Sequence, residues 1–153
     1  MLCALIMAGG KGTRFWPLST EERPKQFLNL VDDETMIQRT INRIKPVIPL
    51  ERIFVCTGRM YIDLVRKQIP ELPLTNIIVE PEARNTSPCI TLSTFVIGRY
   101  FNECNILVLP SDHLINDEDE FRKIIKFGDD FLIDYQDALI TLGIKPTRIE
   151  TNY

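Results

Sequence analysis

An apolar run near the start of the chain ends abruptly in a glycine-rich loop. Residues 2–8 read LCALIMA, and residues 9–14 read GGKGTR. The run predicts a buried strand, and the glycines remove the side chains that would keep a ligand away from the backbone N–H groups. Lys11, Arg14 and Lys25 add positive charge, and no acidic residue lies between positions 9 and 20. This combination favours a binding site for a polyphosphate.

Short apolar runs alternate with amphipathic stretches along the rest of the chain. The runs lack the polar alternation of a strand with one solvated face, which is typical of a parallel sheet covered on both sides. The alternation therefore predicts an α/β fold with a mainly parallel sheet flanked by helices. Acidic residues 117–120 predict the start of the last helix rather than a metal site. The predicted strands cover residues 3–8, 53–56, 76–79, 105–109 and 138–142, and the predicted helices cover residues 35–43, 61–68, 88–100 and 119–132.

Three polar segments follow predicted strands, at the edge of the sheet where ligands bind in such folds. They are the glycine loop, residues 80–86 and residues 110–113. Asp112 suits Mg²⁺, which takes one or two protein carboxylates together with phosphate oxygens, although a turn or N-cap role is the alternative. In residues 80–86, a carboxylate, an amide and a hydroxyl could recognise the edge of a guanine base. Capping of the next helix by Asn85 or Thr86 is the alternative there.

Composition and spacing argue against several other classes of protein. Phe15 stands where a dinucleotide-binding fingerprint needs its third glycine, and the loop lacks the Gly-Lys-Ser/Thr ending of a Walker A motif. A formal net charge of −3 gives no reason to expect nucleic acid as a partner. The apolar N-terminus is too short to span a membrane and lacks the basic segment of a signal peptide. Four cysteines without a C-x-x-C pair predict buried, reduced thiols in a cytoplasmic protein.

The same segments, taken together, resemble the sugar-1-phosphate nucleotidyltransferase family. GGKGTRFWPLS at residues 9–19 and PKQFL at residues 24–28 are similar to the signature of that family. EP at residues 80–81, RNTSP at residues 84–88 and LPSDH at residues 109–113 are similar to its mannose-1-phosphate guanylyltransferase branch. The resemblance runs the length of the chain. It implies a Rossmann-like, glycosyltransferase-A-like fold.

The resemblance also implies a reaction and the residues that perform it. GTP would donate GMP to mannose 1-phosphate by Mg²⁺-assisted in-line attack, giving GDP-mannose and pyrophosphate. Arg14 and Lys25 would be catalytic, by stabilising the α-phosphate and the departing pyrophosphate, and Asp112 would bind the metal ion. The residues implied in nucleotide binding are Ala8, Gly9, Gly10, Lys11, Gly12, Thr13, Glu80, Arg84, Asn85, Thr86 and Ser111.

The resemblance further implies an incomplete catalytic domain. Residues 1–153 match the nucleotide-binding half, and the sugar-binding half of the family is absent. We therefore expect this chain to bind GTP and Mg²⁺ with little or no turnover, and to self-associate through apolar surface left uncovered. A non-catalytic GTP-binding module that needs a complementing chain is the alternative, and other manno-configured sugar phosphates stay open as acceptors. A nicotinamide-binding dehydrogenase domain is a weaker alternative, opposed by the glycine spacing.

Overall fold

The computed structural model of the chain describes residues 1–10 and 15–144. Within these residues, four strands alternate with four α-helices, and short 3-10 turns join several of them. The strands are β1 (Leu2–Met7), β2 (Ile53–Gly58), β3 (Ile77–Glu80) and β4 (Asn105–Pro110). The helices are α1 (Met36–Ile44), α2 (Ile62–Gln68), α3 (Thr86–Gly98) and α4 (Glu118–Asp134).

The four described strands run parallel in one sheet, in the order β3-β2-β1-β4. Met7, the last residue of β1, is paired with Cys56 on one side and with Pro110 on the other. The chain leaves β1 towards β2 and β3, and then returns to the opposite side of β1 to form β4. Ligands in such sheets bind where the strand order reverses, outside the carboxyl ends of the strands. The parallel sheet flanked by helices confirms the predicted α/β fold.

Helices cover both faces of the sheet. In β1, Ala4 and Ile6 belong to the core shared with α1, α2 and α4, whereas Cys3 and Leu5 belong to the core shared with α3. All four side chains are completely buried. Because neither face of β1 contacts solvent, its sequence is continuously apolar rather than alternating.

Local capping signals decide where the helices begin. The Gln38 side chain accepts a hydrogen bond from the backbone N–H of Thr35, 2.9 Å away, at the start of α1. Asp117 accepts one at 2.9 Å from the backbone N–H three residues later, which confirms that the acidic segment starts a helix. The third helix begins at Thr86, two residues earlier than predicted. Pro88 is tolerated there because N–H groups in the first turn have no partner within the helix.

The predicted fifth strand, residues 138–142, is wrong. These residues have no strand neighbour in the described part of the chain, and the backbone N–H of Ala138 closes a turn onto the carbonyl of Tyr135 at 3.1 Å. Leu139 is 98% exposed. An apolar run becomes a strand only where another strand pairs with its backbone groups, and this run has none among the described residues.

All four thiols are free, and Cys3, Cys56 and Cys89 are buried while Cys104 is half-buried. The prediction that the thiols are mostly buried is therefore confirmed, and their reduced state stays a prediction. Buried thiols of this kind pack well in an apolar core, and they can still bind soft metal ions as thiolates.

Several large apolar side chains remain exposed on the helices. Phe95 on α3 and Phe127 on α4 each expose more than two thirds of their surface. Self-association through such surface stays a prediction. None of the helices in residues 1–10 and 15–144 combines the length and the apolarity that a bilayer crossing requires.

Candidate functional site

The three polar segments meet at the carboxyl edge of the sheet. The backbone N–H of Ser111, directly after β4, donates to the carbonyl of Met7 at 3.2 Å, which holds that segment beside the end of β1. On the other side, Glu80 at the end of β3 reaches the glycine loop. A Cβ atom added to Gly9 would lie 2.5 Å from Oε2 of Glu80, so only glycine admits the carboxylate in this position.

A network of hydrogen bonds holds the start of the glycine loop. The carbonyl of Ala8 accepts from Nε2 of Gln26 at 2.9 Å and from Oγ1 of Thr57 at 3.0 Å, and its N–H donates to the carbonyl of Cys56 at 2.8 Å. Nε2 of Gln26 also donates to the carbonyl of Gly10 at 2.9 Å. Both backbone polar groups of Ala8 are therefore engaged within the fold.

Gln26 is a positioning residue that the sequence-based reasoning missed. It lies in the 3-10 turn Lys25–Phe27 and is only 4% exposed, and its amide group donates to the backbone carbonyls of Ala8 and Gly10. The available signal was an amide directly before the buried pair Phe27 and Leu28. Because its two acceptors lie in the loop, the position of the loop depends on this amide.

Substitution of Gln26 tests this dependence. We expect Gln26→Met to lower the free energy of unfolding by about 1–3 kcal/mol, because the carbonyl of Gly10 loses this donor and the carbonyl of Ala8 keeps only Thr57. We expect Gln26→Glu to cost more at neutral pH, because a buried carboxylate would then face two carbonyl oxygens. Burial would raise the pKa of the new carboxyl group above the usual value of about 4.3.

The variant Gln26→Glu should therefore be most stable below the ordinary glutamate pKa, and its stability should fall as the pH rises through the higher pKa of the folded state. Urea unfolding of both variants between acidic and neutral pH measures this difference. If the two variants lose the same stability at every pH, the side chain does not face the two carbonyl groups.

Lys25, in the 3-10 turn Lys25–Phe27, and Asp112, two residues after β4, form an ion pair. Nζ of Lys25 lies 3.4 Å from Oδ2 of Asp112 and 4.4 Å from the centre of the Phe15 ring. The two side chains are 22% and 40% exposed. A partly solvated pair of this kind contributes about 0–1 kcal/mol to stability, so a ligand could separate it at little cost.

Helix α1 supports the segment that carries Asp112. Nη2 of Arg43 donates to the carbonyl of His113 at 3.2 Å, and its guanidinium group lies 5.8 Å from the centre of the Phe121 ring. Arg43 is 2% exposed, and its Nε lies 3.5 Å from a carboxylate oxygen of Glu118. Burial lowers the pKa of Arg43, and the Glu118 carboxylate opposes that shift. The buried guanidinium group of Arg43 thus holds the backbone next to Asp112 through its hydrogen bond to His113.

Glu80 forms the inner end of a pocket of about 350 Å³. Its side chain is nearly buried, and desolvation raises the pKa of its carboxyl group. Arg84 stands on the outer wall, where Nη2 lies 2.6 Å from Oε2 of the exposed Glu82. The residues that line the pocket are Glu80, Pro81, Glu82, Arg84, Pro88 and Leu92.

Neither Asn85 nor Thr86 caps helix α3 through a side-chain hydrogen bond. Asn85 occupies the N-cap position of α3, but its side chain makes no capping hydrogen bond, and Thr86 is already the first helical residue. Asn85 has φ 66° and ψ −166°, a conformation that costs about 1–3 kcal/mol in a residue other than glycine. Such strain is concentrated at ligand-binding segments, and both side chains remain exposed.

Four of the predicted site residues, Lys11, Gly12, Thr13 and Arg14, lie outside the described residues, so their roles stay predictions. A Cβ atom added to Gly10 would meet nothing within 4 Å among the described residues. The described part of the site therefore holds a cation, two carboxylates and two glycines at one edge of the sheet. Such a set can bind a phosphorylated ligand together with a divalent cation.

Asp112 fits a magnesium ligand by its chemistry. Its carboxylate is partly solvated and its ion-pair partner is Lys25, so an oxygen atom can become available to a hard cation. Among the described residues, Asp112 belongs to no group of three candidate metal ligands. A Mg²⁺ ion bound there would take its other ligands from water and phosphate oxygens, as is common for this ion.

Comparisons with known proteins agree with this geometry. The family model described as nucleotidyl transferase matches residues 3–153. A mannose-1-phosphate guanylyltransferase of Salmonella muenchen is 42% identical over 99% of this chain and 32% of its own length. A mannose-1-phosphate guanylyltransferase of Salmonella typhimurium is 39% identical over 97% of this chain and 31% of its own length. The chain thus spans about a third of these relatives.

A solved structure supports the same assignment. A Thermus thermophilus protein described as mannose-1-phosphate geranyltransferase is 33% identical and superposes with a TM-score of 0.74. The superposition covers 82% of this chain and 36% of the Thermus chain. The parallel sheet, the loop that follows its first strand and the match over residues 3–153 point to one conclusion: the chain belongs to the nucleotidyl transferase family.

Proposed function

We propose that residues 1–153 form the nucleotide-binding half of a mannose-1-phosphate guanylyltransferase and bind GTP with Mg²⁺. The proposed reaction transfers GMP from GTP to mannose 1-phosphate and yields GDP-mannose and pyrophosphate. The observation that carries the proposal is the Lys25–Asp112 pair, 3.4 Å apart beside the glycine loop. The names of the relatives suggest the guanine base and the mannose acceptor. Four free thiols fit a reducing, cytoplasmic setting.

In this proposal the phosphate chain of GTP lies over the glycine loop. Lys25 moves from Asp112 to a phosphate oxygen, where it stabilises the charge that grows on the departing pyrophosphate. Asp112 would hold Mg²⁺, which would neutralise charge on the phosphate oxygens. Arg14 and the backbone of residues 11–13 complete the proposed phosphate site. Catalysis would then be electrostatic and positional, without a covalent enzyme intermediate.

We propose that the guanine base binds at Glu80. Guanine presents its N1–H and its 2-amino group side by side, and an ionised carboxylate can accept from both. Adenine lacks this pair of donors. Because burial raises the pKa of Glu80, the ionised form is costly in the empty pocket and is favoured when the two donors arrive. Arg84, Asn85 and Thr86 would then contact the nucleotide from the exposed side of the pocket.

Binding without turnover is the second candidate function. It is favoured by the finding that, among the described residues, Asp112 belongs to no group of three or more candidate metal ligands. In that case the chain would bind GTP and Mg²⁺ and would need a complementing chain to transfer GMP. Formation of GDP-mannose by the purified 153-residue chain would contradict this candidate and support the first.

Nucleotide-dependent thermal stability tests the proposed donor. We expect GTP with Mg²⁺ to raise the melting temperature of the chain, and ATP, UTP and dTTP to raise it less at equal concentration, because only GTP satisfies Glu80. A ligand present at about 100 times its Kd stabilises the folded state by about 2.7 kcal/mol. An equal shift with all four nucleotides would contradict the guanine assignment, and no shift with any of them would contradict nucleotide binding.

The variant Gly9→Ala makes the same experiment specific to the site. Its methyl group would displace the Glu80 carboxylate, since Oε2 lies 2.5 Å from the Cβ position, and the preference for GTP should disappear. Gly98→Ala is the matched control, because a Cβ atom at Gly98 meets nothing within 4 Å. The control should keep the preference for GTP.

A further inference from the structure

A second cluster of chemically reactive side chains lies behind the pocket. Cys56 is on β2, Glu80 ends β3 and Cys89 lies in the first turns of α3. One ligand atom from each, the two Sγ atoms and a carboxylate oxygen, lies within 4.8 Å of the other two. The exposed fractions of the three residues are 0%, 8% and 4%. Three elements thus converge on one small, nearly buried volume.

The donor set is that of a thiophilic metal site. Two thiolates and a carboxylate suit Zn²⁺ or Cd²⁺, whereas Mg²⁺ and Ca²⁺ prefer oxygen ligands alone. With Zn–S bonds of about 2.3 Å, two sulfur atoms on a tetrahedral ion lie about 3.8 Å apart. Because the three ligand atoms lie within 4.8 Å of one another, a contraction of at most about 1 Å would close the site around an ion and leave a fourth position for water.

A metal ion that binds the cluster has to replace the protons of the two thiols. The hydrogen bond from the Cys89 thiol lowers the pKa of Cys56, while that neighbour and burial together raise the pKa of Cys89. The hydroxyl of Ser93 is completely buried, and its oxygen has no partner that meets hydrogen-bond geometry in the described chain. It lies beside Cys56, where it favours the thiolate form. A divalent ion would replace both thiol protons, which would pass to solvent.

Simple packing accounts for only part of this arrangement. Cys56 and Cys89 both belong to the apolar core between the sheet and α3, where small thiols pack as apolar groups. A carboxylate beside them is costly, because desolvation disfavours its ionised form. Glu80 and Pro88, the neighbour of Cys89 in the chain, both line the pocket, so the pocket reaches the Glu80 side of the cluster.

We propose that Cys56, Glu80 and Cys89 bind a thiophilic divalent cation such as Zn²⁺ or Cd²⁺. Because the ion takes the Glu80 carboxylate as a ligand, it competes with guanine for that carboxylate. This second statement rests on the proposed function, whereas metal binding itself does not. The cluster would thus make nucleotide binding sensitive to thiophilic metal ions.

Cadmium titration of the reduced protein tests the site. We expect a saturable ultraviolet thiolate-to-metal charge-transfer band with a single equivalent of Cd²⁺. The variant Cys89→Ser should weaken binding by at least about tenfold and reduce the band, since one of two thiolates is lost. The variant Glu80→Gln, which keeps both thiols and the side-chain volume, should weaken binding without removing the band.

The matched control is Cys104→Ser, which changes a thiol outside the cluster and should leave the titration unchanged. Cys104 and Cys3 are close enough to influence one another, so they are the alternative sulfur pair. Loss of the band in Cys104→Ser would place the ion at that pair and overturn the proposal. Absence of any band in the wild-type protein, or an unchanged band in Cys89→Ser, would also overturn it.

Competition with GTP is measured separately. With Mg²⁺ in excess and Zn²⁺ stoichiometric with the protein, we expect the apparent Kd for GTP to rise at least about tenfold in the wild-type protein and not in Cys89→Ser, because the base would lose its hydrogen bonds to the charged Glu80. A cadmium band with an unchanged GTP affinity would overturn the competition and support the metal site. A cadmium band in a protein that binds no nucleotide would support the metal site and overturn the proposed function.

Discussion

Replacement of Asp112 with asparagine is expected to weaken sharply the Mg²⁺ dependence of GTP binding. The carboxylate lies beside the glycine loop, and its ion-pair partner is Lys25, 3.4 Å away. Asparagine keeps the size of the side chain but removes the charge that holds a hard cation. We expect the effect of Mg²⁺ on the Kd for GTP to fall by at least about tenfold, as measured by titration calorimetry with and without Mg²⁺. The melting temperature without ligand should change little, because the pair is partly exposed.

Replacement of Lys25 with methionine is expected to change Mg²⁺ affinity in the direction opposite to Asp112→Asn. Without nucleotide, Mg²⁺ should bind more tightly to this variant than to the wild-type protein, because the competing cation is gone. With GTP present, binding should be weaker, because a charge-assisted contact to phosphate is lost. Equal changes of Mg²⁺ affinity in Asp112→Asn and Lys25→Met would contradict the assignment of one residue to the metal ion and the other to the phosphate.

Replacement of Arg43 with alanine is expected to lower the free energy of unfolding by about 3 kcal/mol or more. Arg43 is 2% exposed, so alanine would leave a large cavity under residues 111–113 and against Phe121. Arg43→Met fills the same space without a charge. Because burial disfavours the cation, as its lowered pKa indicates, we expect the methionine variant to unfold at nearly the wild-type urea concentration.

The two Arg43 variants should nevertheless share one defect. Both remove the donor to the carbonyl of His113, so residues 111–113 should exchange their backbone amide hydrogens faster than in the wild-type protein. Equal destabilisation by methionine and alanine would show that the contacts with Glu118 and His113, rather than packing, provide the stability of this position.

The sequence predicted the four strands that pair in the sheet, because each is a short apolar run in which both faces must be buried. It predicted a fifth strand wrongly at residues 138–142. Composition marks a segment as apolar, but only a neighbouring strand can supply partners for its backbone groups. The start of α3 was also placed two residues late, since Pro88 obscured a helix that tolerates proline in its first turn.

The sequence predicted those site residues that belong to a short polar segment at the end of a strand. Gly9, Glu80 and Asp112 each lie at or just beyond the end of a strand, so the parallel topology alone brings them to one edge. Gln26 and Arg43 were missed, because their partners lie 16 to 18 and 70 residues away in the chain. The role of such a buried polar side chain can be recognised only from its hydrogen-bond partners, which are distant in the sequence.

The sequence by itself determined the alternation of strands and helices, the glycine loop and the family resemblance, since these depend on local spacing and residue type. The tertiary structure alone decided which groups meet. The packing of strands, turns and helices placed Lys25 beside Asp112, set Glu80 against Gly9 and brought Cys56, Glu80 and Cys89 into one cluster. The physical reason is that ion pairing, desolvation and metal ligation act over a few ångströms in space, whatever the separation along the chain.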